Sequence, residues 1–272
     1  MSSPNSISTD KLARLISTAG SPRILDVRGE SLPLIPSASP VTPDEVRADP
    51  ARFASEQWVV ACRHGKETSQ GIAALLRHHG AQAEILEGGV AAWQDSELPV
   101  IDPAKLPPRE AQGRTIWVTR ARPKVDRIAC PWLIRRFVDP AAIFLFVAPA
   151  EVTKVADQLG GAPFDVDGVF WSHRADLCTF DTMVDELGLG GFDALGRLAT
   201  IVRGADTAQL ELAPQCAGLL AASLGLSRIY ADDLEQLEAG MTLYDAFYRW
   251  CRDAVGETHD WVAHQPKVRQ PA

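Results

Sequence analysis

The sequence predicts an α/β protein in two parts: a parallel sheet with helices on both faces, then a mixed, mainly helical region with a few short strands. Three observations predict it. In the first hundred residues short apolar runs alternate with helix-period segments, a pattern that buries parallel strands beneath helices. A stretch at 98–113 breaks the periodicity with four prolines. Beyond residue 179 nearly every segment carries apolar side chains at helical spacing.

The elements follow in order. Ser8-Thr9-Asp10 can cap a helix through Leu12, Leu15 and Ile16. Residues 24–27 form a short buried strand, 43–47 a short helix and 58–61 a second buried strand. Ile72, Leu75 and Leu76 place a helix over 69–79, stopped by Gly80. Residues 83–86 form a third strand, and Gly88-Gly89 turns into a helix carrying Ala92 and Trp93. In the second part, 114–120 and 142–147 read as strands, and 126–137 and 150–159 as helices, with Pro131 either kinking the first helix or marking its first turn. Asp167-Gly168 suggests a hairpin pairing 164–166 with 169–172. Helices are expected at 180–187, 192–203, 213–225, 231–238 and 242–254, with stops at Gly188, Gly204 and Gly240. The corresponding organisation is a first domain at 1–105, a linker at 106–113, a second domain at 114–256 and a mobile tail at 257–272.

Bulk properties narrow the function classes. The chain has 272 residues, 46% hydrophobic and 23% charged, with a formal charge of −8. That balance carries no basic signature, so no nucleic-acid partner is expected. No apolar run approaches the roughly 18 residues of a membrane helix, and the first residues lack the pattern of a secretory signal. A cytoplasmic protein without a membrane partner is expected; nothing in the pattern sets an oligomeric state. Cys62, Cys130, Cys178, Cys216 and Cys251 are widely spaced and never form C-x-x-C. Reduced thiols are expected, not a disulfide framework or a zinc ribbon.

The segment WVVACRHGKETS at 58–69 ends a buried strand in a cysteine and a polar loop. A lone cysteine is by default a small buried apolar residue. Here Arg63, His64 and Lys66 supply cations, Gly65 lets the loop curl, and the following helix aims free N–H groups back at it. Those features lower a thiol pKa and form an anion-binding nest. In parallel sheets functional loops sit at strand carboxyl ends, where Asp26-Val27-Arg28 also lies.

ILDVR at 24–28, CRHGKE at 62–67 and LEGGVAAW at 86–93 resemble a rhodanese domain over roughly residues 7–102. The resemblance implies a doubly wound domain whose loop cysteine becomes a persulfide and passes sulfur to a thiophilic acceptor. By position it implies Cys62 as nucleophile, Arg63, His64, Gly65, Lys66, Glu67 and Thr68 as the cradle, and Asp26 with Arg28 as loop support. The sixth position after Cys62 is Thr68, not the arginine that closes longer oxyanion-processing loops of this fold. LPLIPSAS at 32–39 departs from the family's Gly-His-Ile-Pro-Gly-Ala-like stretch, and Glu67 is expected to make thiosulfate a poor donor.

DRIACPWLIRRFVDP at 126–140, FDVDGVFWSHRADLCTFD at 164–181, IVRGADT at 201–207 and GMTLYDAFYRW at 240–250 resemble the C-terminal domain of ChrB-type chromate-resistance proteins over roughly 114–254. The resemblance implies a link to chromate or oxidative-metal stress but no reaction. The DNA-contacting part of such regulators precedes this domain, so a repressor role does not carry over. His173, Cys178 and Asp181 lie within nine residues, followed by Glu186, and all are metal-ligand types. Their spacing matches no common zinc template; the structural alternative makes Asp181 a helix cap and Cys178 part of the core. Asp126, Arg127 and Cys130 share a helix face, at a pocket or, favoured, a helix interface; Arg203 and Asp206 are spaced to pair locally.

The leading expectation is a sulfurtransferase needing no cofactor for sulfur transfer, with a small sulfane-sulfur donor and a thiol acceptor as partners, and a possible metal ion in the second domain. The alternative is a non-catalytic sensor of redox state, oxyanion or metal. Direct chromate reduction finds no flavin or nicotinamide fingerprint to support it.

Overall fold

The computed structural model describes residues 5–18, 20–29, 32–54 and 56–258. The expected mobile tail at 257–272 lies, from residue 259 onward, outside them. The first half runs β1 (Ser6–Ile7), α1 (Thr9–Leu15), β2 (Arg23–Asp26), β3 (Ala38–Pro40), α2 (Pro43–Ala48), β4 (Gln57–Ala61), α3 (Glu67–His78), β5 (Gln82–Leu86) and α4 (Gly89–Asp95). Its five strands are all parallel, in the order β1-β5-β4-β2-β3.

Strand residues alternate between the two faces. Ile24, Val59 and Leu86 pack on one face with Leu12, Ile16, Val90 and Trp93. Leu25, Val60 and Ala83 pack on the other with Val46, Ile72 and Leu76. The sheet is therefore covered on both sides, as its continuously apolar strands require. The Ser8 hydroxyl caps α1 by accepting from the Lys11 N–H, and Thr42 and Glu45 close a capping box on α2. The edge strands β1 and β3 are two and three residues long, too short to leave a periodic signal.

The second half runs β6 (Ile116–Arg120), α5 (Asp126–Phe137), β7 (Ile143–Val147), α6 (Val152–Leu159), β8 (Ala162–Pro163), α7 (Thr179–Glu186), α8 (Asp193–Asp206), α9 (Cys216–Ile229) and α10 (Asp233–Arg249), with a π turn at Trp250–Ala254. Its small sheet is parallel, ordered β7-β6-β8. Three local expectations are corrected. The chain turns at Asp167-Gly168, but Phe164 and Trp171 make a single parallel bridge instead of a hairpin. The Asp165 side chain is drawn inward to Arg120, Arg127 and Thr179, away from a hairpin partner. Gly204 and Gly240 are helix interiors, not stops: a Cβ there would meet Cys216 Sγ and Ile128 Cγ2 at 2.4 Å. These are close crossings, and tertiary packing overrides glycine's low helix propensity. The segments 231–238 and 242–254 accordingly merge into α10 and its π turn. Pro131 lies inside α5, buried, beyond the first turn.

One apolar cluster runs through both halves, joining Leu34, Ile35, Trp93 and Ile101 to Trp132, Phe137, Phe180 and Tyr248. Phe137 is the hinge point of this packing. Its ring meets Trp132, Phe192 and Tyr248, and its carbonyl accepts from the Ser37 N–H. The proline-rich segment is pinned rather than free: Leu34 and Ile101 exchange backbone bonds, and the Pro99 carbonyl accepts from the Trp93 indole at 2.8 Å.

A shared core predicts a single calorimetric unfolding transition for the whole chain. Phe137→Ala should lower its stability by about 3–5 kcal/mol, the cost of a buried phenylalanine cavity, and keep it single. Two separated transitions in the wild type would show that the halves do not stabilise each other.

Candidate functional site

Cys62 follows the last residue of β4, and α3 begins five residues later. The loop between them is held from below by the turn that opens α4. The Val90 and Ala91 N–H groups donate to the Cys62 and Arg63 carbonyls, each at 3.0 Å. Gly65 adopts φ +69° and Gly89 φ +64°. A Cβ on Gly89 would approach the Cys62 carbonyl to 2.3 Å, and one on Gly65 the Leu86 carbonyl to 2.5 Å. Backbone thus lies directly on backbone, and only glycine fits both positions.

With its carbonyls turned toward α4, the loop presents N–H groups to the sulfur. Burial alone pushes the Cys62 thiol up. The Ser69 hydroxyl and the Ser69, His64 and Lys66 backbone N–H groups outweigh it and hold the thiol below its ordinary range. The Cys62 Sγ lies 3.1 Å from Ser69 Oγ, in the first turn of α3. Cys62 is nearly buried, but its sulfur faces a cleft of about 570 Å³. Arg28, Pro33, Arg63, His64 and Thr68 share in lining it.

Of the sequence-derived cradle, Arg63, His64 and Thr68 share the cleft lining with Cys62, while Gly65, Lys66 and Glu67 do not. The Ser69 hydroxyl and backbone amides, rather than the Arg63, His64 and Lys66 side-chain charges, hold the thiol down. Arg63 and His64 reach the cleft wall, whereas Lys66 and Glu67 are exposed and outside its lining. Asp26 is buried and grips Arg28 through two oxygens, at 2.9 Å and 2.6 Å. Arg28 in turn donates to the Pro33 carbonyl at 2.6 Å, so this pair supports the opposite wall of the cleft. Ser69 is the residue that sequence reasoning missed. Its signal was a hydroxyl seven positions after the cysteine, concealed because α3 starts at Glu67 and not near 69.

In the second half, His173, Cys178 and Asp181 do not converge. Cys178, the N-cap of α7, donates its backbone N–H and its thiol to Asp181 Oδ2, at 3.1 Å and 3.2 Å, so Asp181 closes the capping box of that helix. The other oxygen of Asp181 takes Arg203 Nη1 at 3.0 Å, so the expected local pair of Arg203 with Asp206 is not formed. Burial first, then Asp126 and Asp181, push the Cys178 thiol up. His173 faces Asp126, Asp165 and Asp206 instead. Hydrogen bonds to Asp165 and Asp206 push its imidazole up to about 10. Asp126 lies not at a plain helix interface but at this cluster, its carboxyl pushed up by burial and then by Asp206 and Asp165.

Residues 8–96 match the rhodanese-like domain, and residues 117–251 match the ChrB C-terminal domain. The chain is a rhodanese-like domain followed by a ChrB C-terminal domain. Protein ChrB of Cupriavidus metallidurans is 36% identical over 142 residues, which cover 52% of this chain and 42% of that protein. The chain thus matches less than half the length of that relative. A rhodanese-like domain protein from Staphylococcus aureus is 28% identical, covering 33% of this chain and 90% of that one, with a TM-score of 0.31. A rhodanese-related protein from Thermoplasma volcanium is 24% identical, covering 36% and 97%, with a TM-score of 0.32. Among the described residues, no helix is long and apolar enough to cross a membrane.

If the amide cradle sets the thiol, removing the Ser69 hydroxyl should raise the midpoint of Cys62 alkylation by iodoacetamide by about one pH unit, the worth of one hydrogen bond to a charged sulfur. Lys66→Ala should leave that midpoint nearly unchanged, because an exposed charge is screened. The reverse order of effects would return the role to the side-chain cations.

Proposed function

We propose that this protein is a sulfurtransferase working through a Cys62 persulfide, with a role in chromate or metal and oxidative stress in the cytoplasm. The observation that carries the reading is the sulfur of Cys62 at the mouth of a cleft, with hydrogen bonds that favour its anion. The rhodanese-like domain match supports the reaction class, and the ChrB C-terminal match supports the stress context.

The steps follow from the site. The Cys62 thiolate attacks the outer sulfur of a sulfane donor, the donor's S–S bond breaks, and its remaining fragment leaves with the electron pair. With thiosulfate the leaving fragment is sulfite. The terminal sulfur of the new persulfide bears the negative charge, and the loop N–H groups stabilise it as they stabilised the thiolate. An acceptor thiolate then attacks that terminal sulfur and releases Cys62 as the thiolate. Arg63 and His64 on the cleft wall favour an anionic donor. No cofactor enters either step, and the acceptor is a small thiol or a protein cysteine.

The test is intact-mass measurement of the reduced protein after exposure to thiosulfate and, separately, to a persulfide donor. A gain of one sulfur atom, absent in Cys62→Ser, is expected, and it should be lost when a thiol acceptor is added. No gain with either donor would exclude the transferase reading and leave a sensor role for the cleft.

A further inference from the structure

We infer that Asp126, His173 and Asp206 form a three-ligand site for a divalent first-row transition ion. The site lies in the ChrB C-terminal domain and is independent of the Cys62 reading. One ligand atom from each of the three residues lies within 4.8 Å of the others.

Hydrogen bonding leaves this cluster incomplete. Asp126 is 1% exposed, and its Oδ1 makes no hydrogen bond. Its Oδ2 accepts from the Thr179 N–H at 2.6 Å. A buried carboxylate with an unmatched oxygen is costly unless a charge or a metal meets it. The neighbouring Asp165 is already matched, by Arg120 at 2.9 Å and Arg127 at 3.2 Å. Among the described residues, the ion-pair partner of Asp126 and of Asp206 is His173 alone.

His173 does not complete the cluster. Its Nε2 stands 3.3 Å from Asp165, 3.3 Å from Asp206 and 3.6 Å from Asp126. A ring nitrogen carries one proton and can serve one of these acceptors well, and all three distances exceed the usual 2.9–3.0 Å of such a bond. The Asp206 and Asp126 distances also match the spacings of neighbouring ligand atoms. Bond lengths of about 2.0–2.2 Å to a tetrahedral ion place ligand atoms about 3.3–3.6 Å apart.

The backbone before Asp126 is also strained. Val125, a β-branched residue, sits at φ +37°. The Ser223 hydroxyl accepts from its N–H and the Tyr244 hydroxyl donates to its carbonyl, both at 2.9 Å. Such strain persists where surrounding contacts fix a side chain in one place. The His173 side chain is 41% exposed, so an ion has an entry path and keeps open positions for water or a small anion. Two carboxylates and one imidazole suit Mn²⁺, Fe²⁺ or Zn²⁺ better than Ca²⁺.

The untagged full chain, stripped with a chelator and dialysed, would be titrated with MnCl₂, reading free Mn²⁺ by electron paramagnetic resonance, and with ZnCl₂ by calorimetry. One equivalent of at least one ion per chain is expected. His173→Gln and Asp206→Asn should each weaken it at least tenfold, with circular dichroism unchanged. Cys178→Ser should bind as the wild type does. No uptake of either ion by the wild type, or wild-type affinity in both ligand variants, overturns the assignment. Loss of the ion in Cys178→Ser would also overturn it, in favour of a different ligand set.

Discussion

The backbone-on-backbone contact between Gly65 and Gly89 is the constraint on which the sulfur site depends. Because neither residue has a side chain, the loop after β4 settles onto the opening turn of α4, and its carbonyls are consumed by the Val90 and Ala91 N–H groups. A peptide whose carbonyl points one way points its N–H the other. Fixing the Arg63 carbonyl below therefore turns the His64 N–H toward Cys62, and the first turn of α3 supplies the Ser69 N–H and hydroxyl. Side-chain cations add to the cleft wall, where they meet an incoming anion rather than the sulfur.

This division explains what was legible in the sequence. The central strands, the helix after the cysteine and the Gly88-Gly89 turn are local patterns, and a local pattern survives without knowledge of the fold. Cys62 was legible because a strand end, a glycine and a helix start are contiguous. The ligand set in the second half was not. Asp126, His173 and Asp206 come from the start of α5, the segment before α7 and the end of α8. No spacing along the chain joins them, and the nearest local cluster, His173 with Cys178 and Asp181, drew the eye to a helix cap. Gly204 and Gly240 failed for the same reason: their role is set by Cys216 and Ile128, which approach from other helices.

The two sites use helix starts in related ways. The first turn of α3 and the loop before it donate to a sulfur that must become an anion. The first N–H of α7 donates to one oxygen of Asp126 and leaves the other oxygen unmatched. The first arrangement completes the hydrogen bonding of an anion, as sulfur chemistry needs. The second stops one ligand short of completion, as a cation site needs.

Helix α5 joins the two halves physically. Its first residue is Asp126, and its last, Phe137, packs in the core that reaches the rhodanese-like sheet. Twelve residues of helix span about 18 Å. The rod is tied along its length, with Asp245 binding both the Trp132 indole and the Arg136 guanidinium. At its start, Val125 is held in a conformation that a valine does not adopt freely. The charge balance around Asp126 and the packing around Phe137 are therefore properties of one element. A helix this tightly packed moves as a body or not at all, because its surroundings leave no volume for gradual adjustment. One helix thus carries the most deeply buried carboxylate of the cluster at its start and, at its end, an aromatic of the core shared with the first sheet.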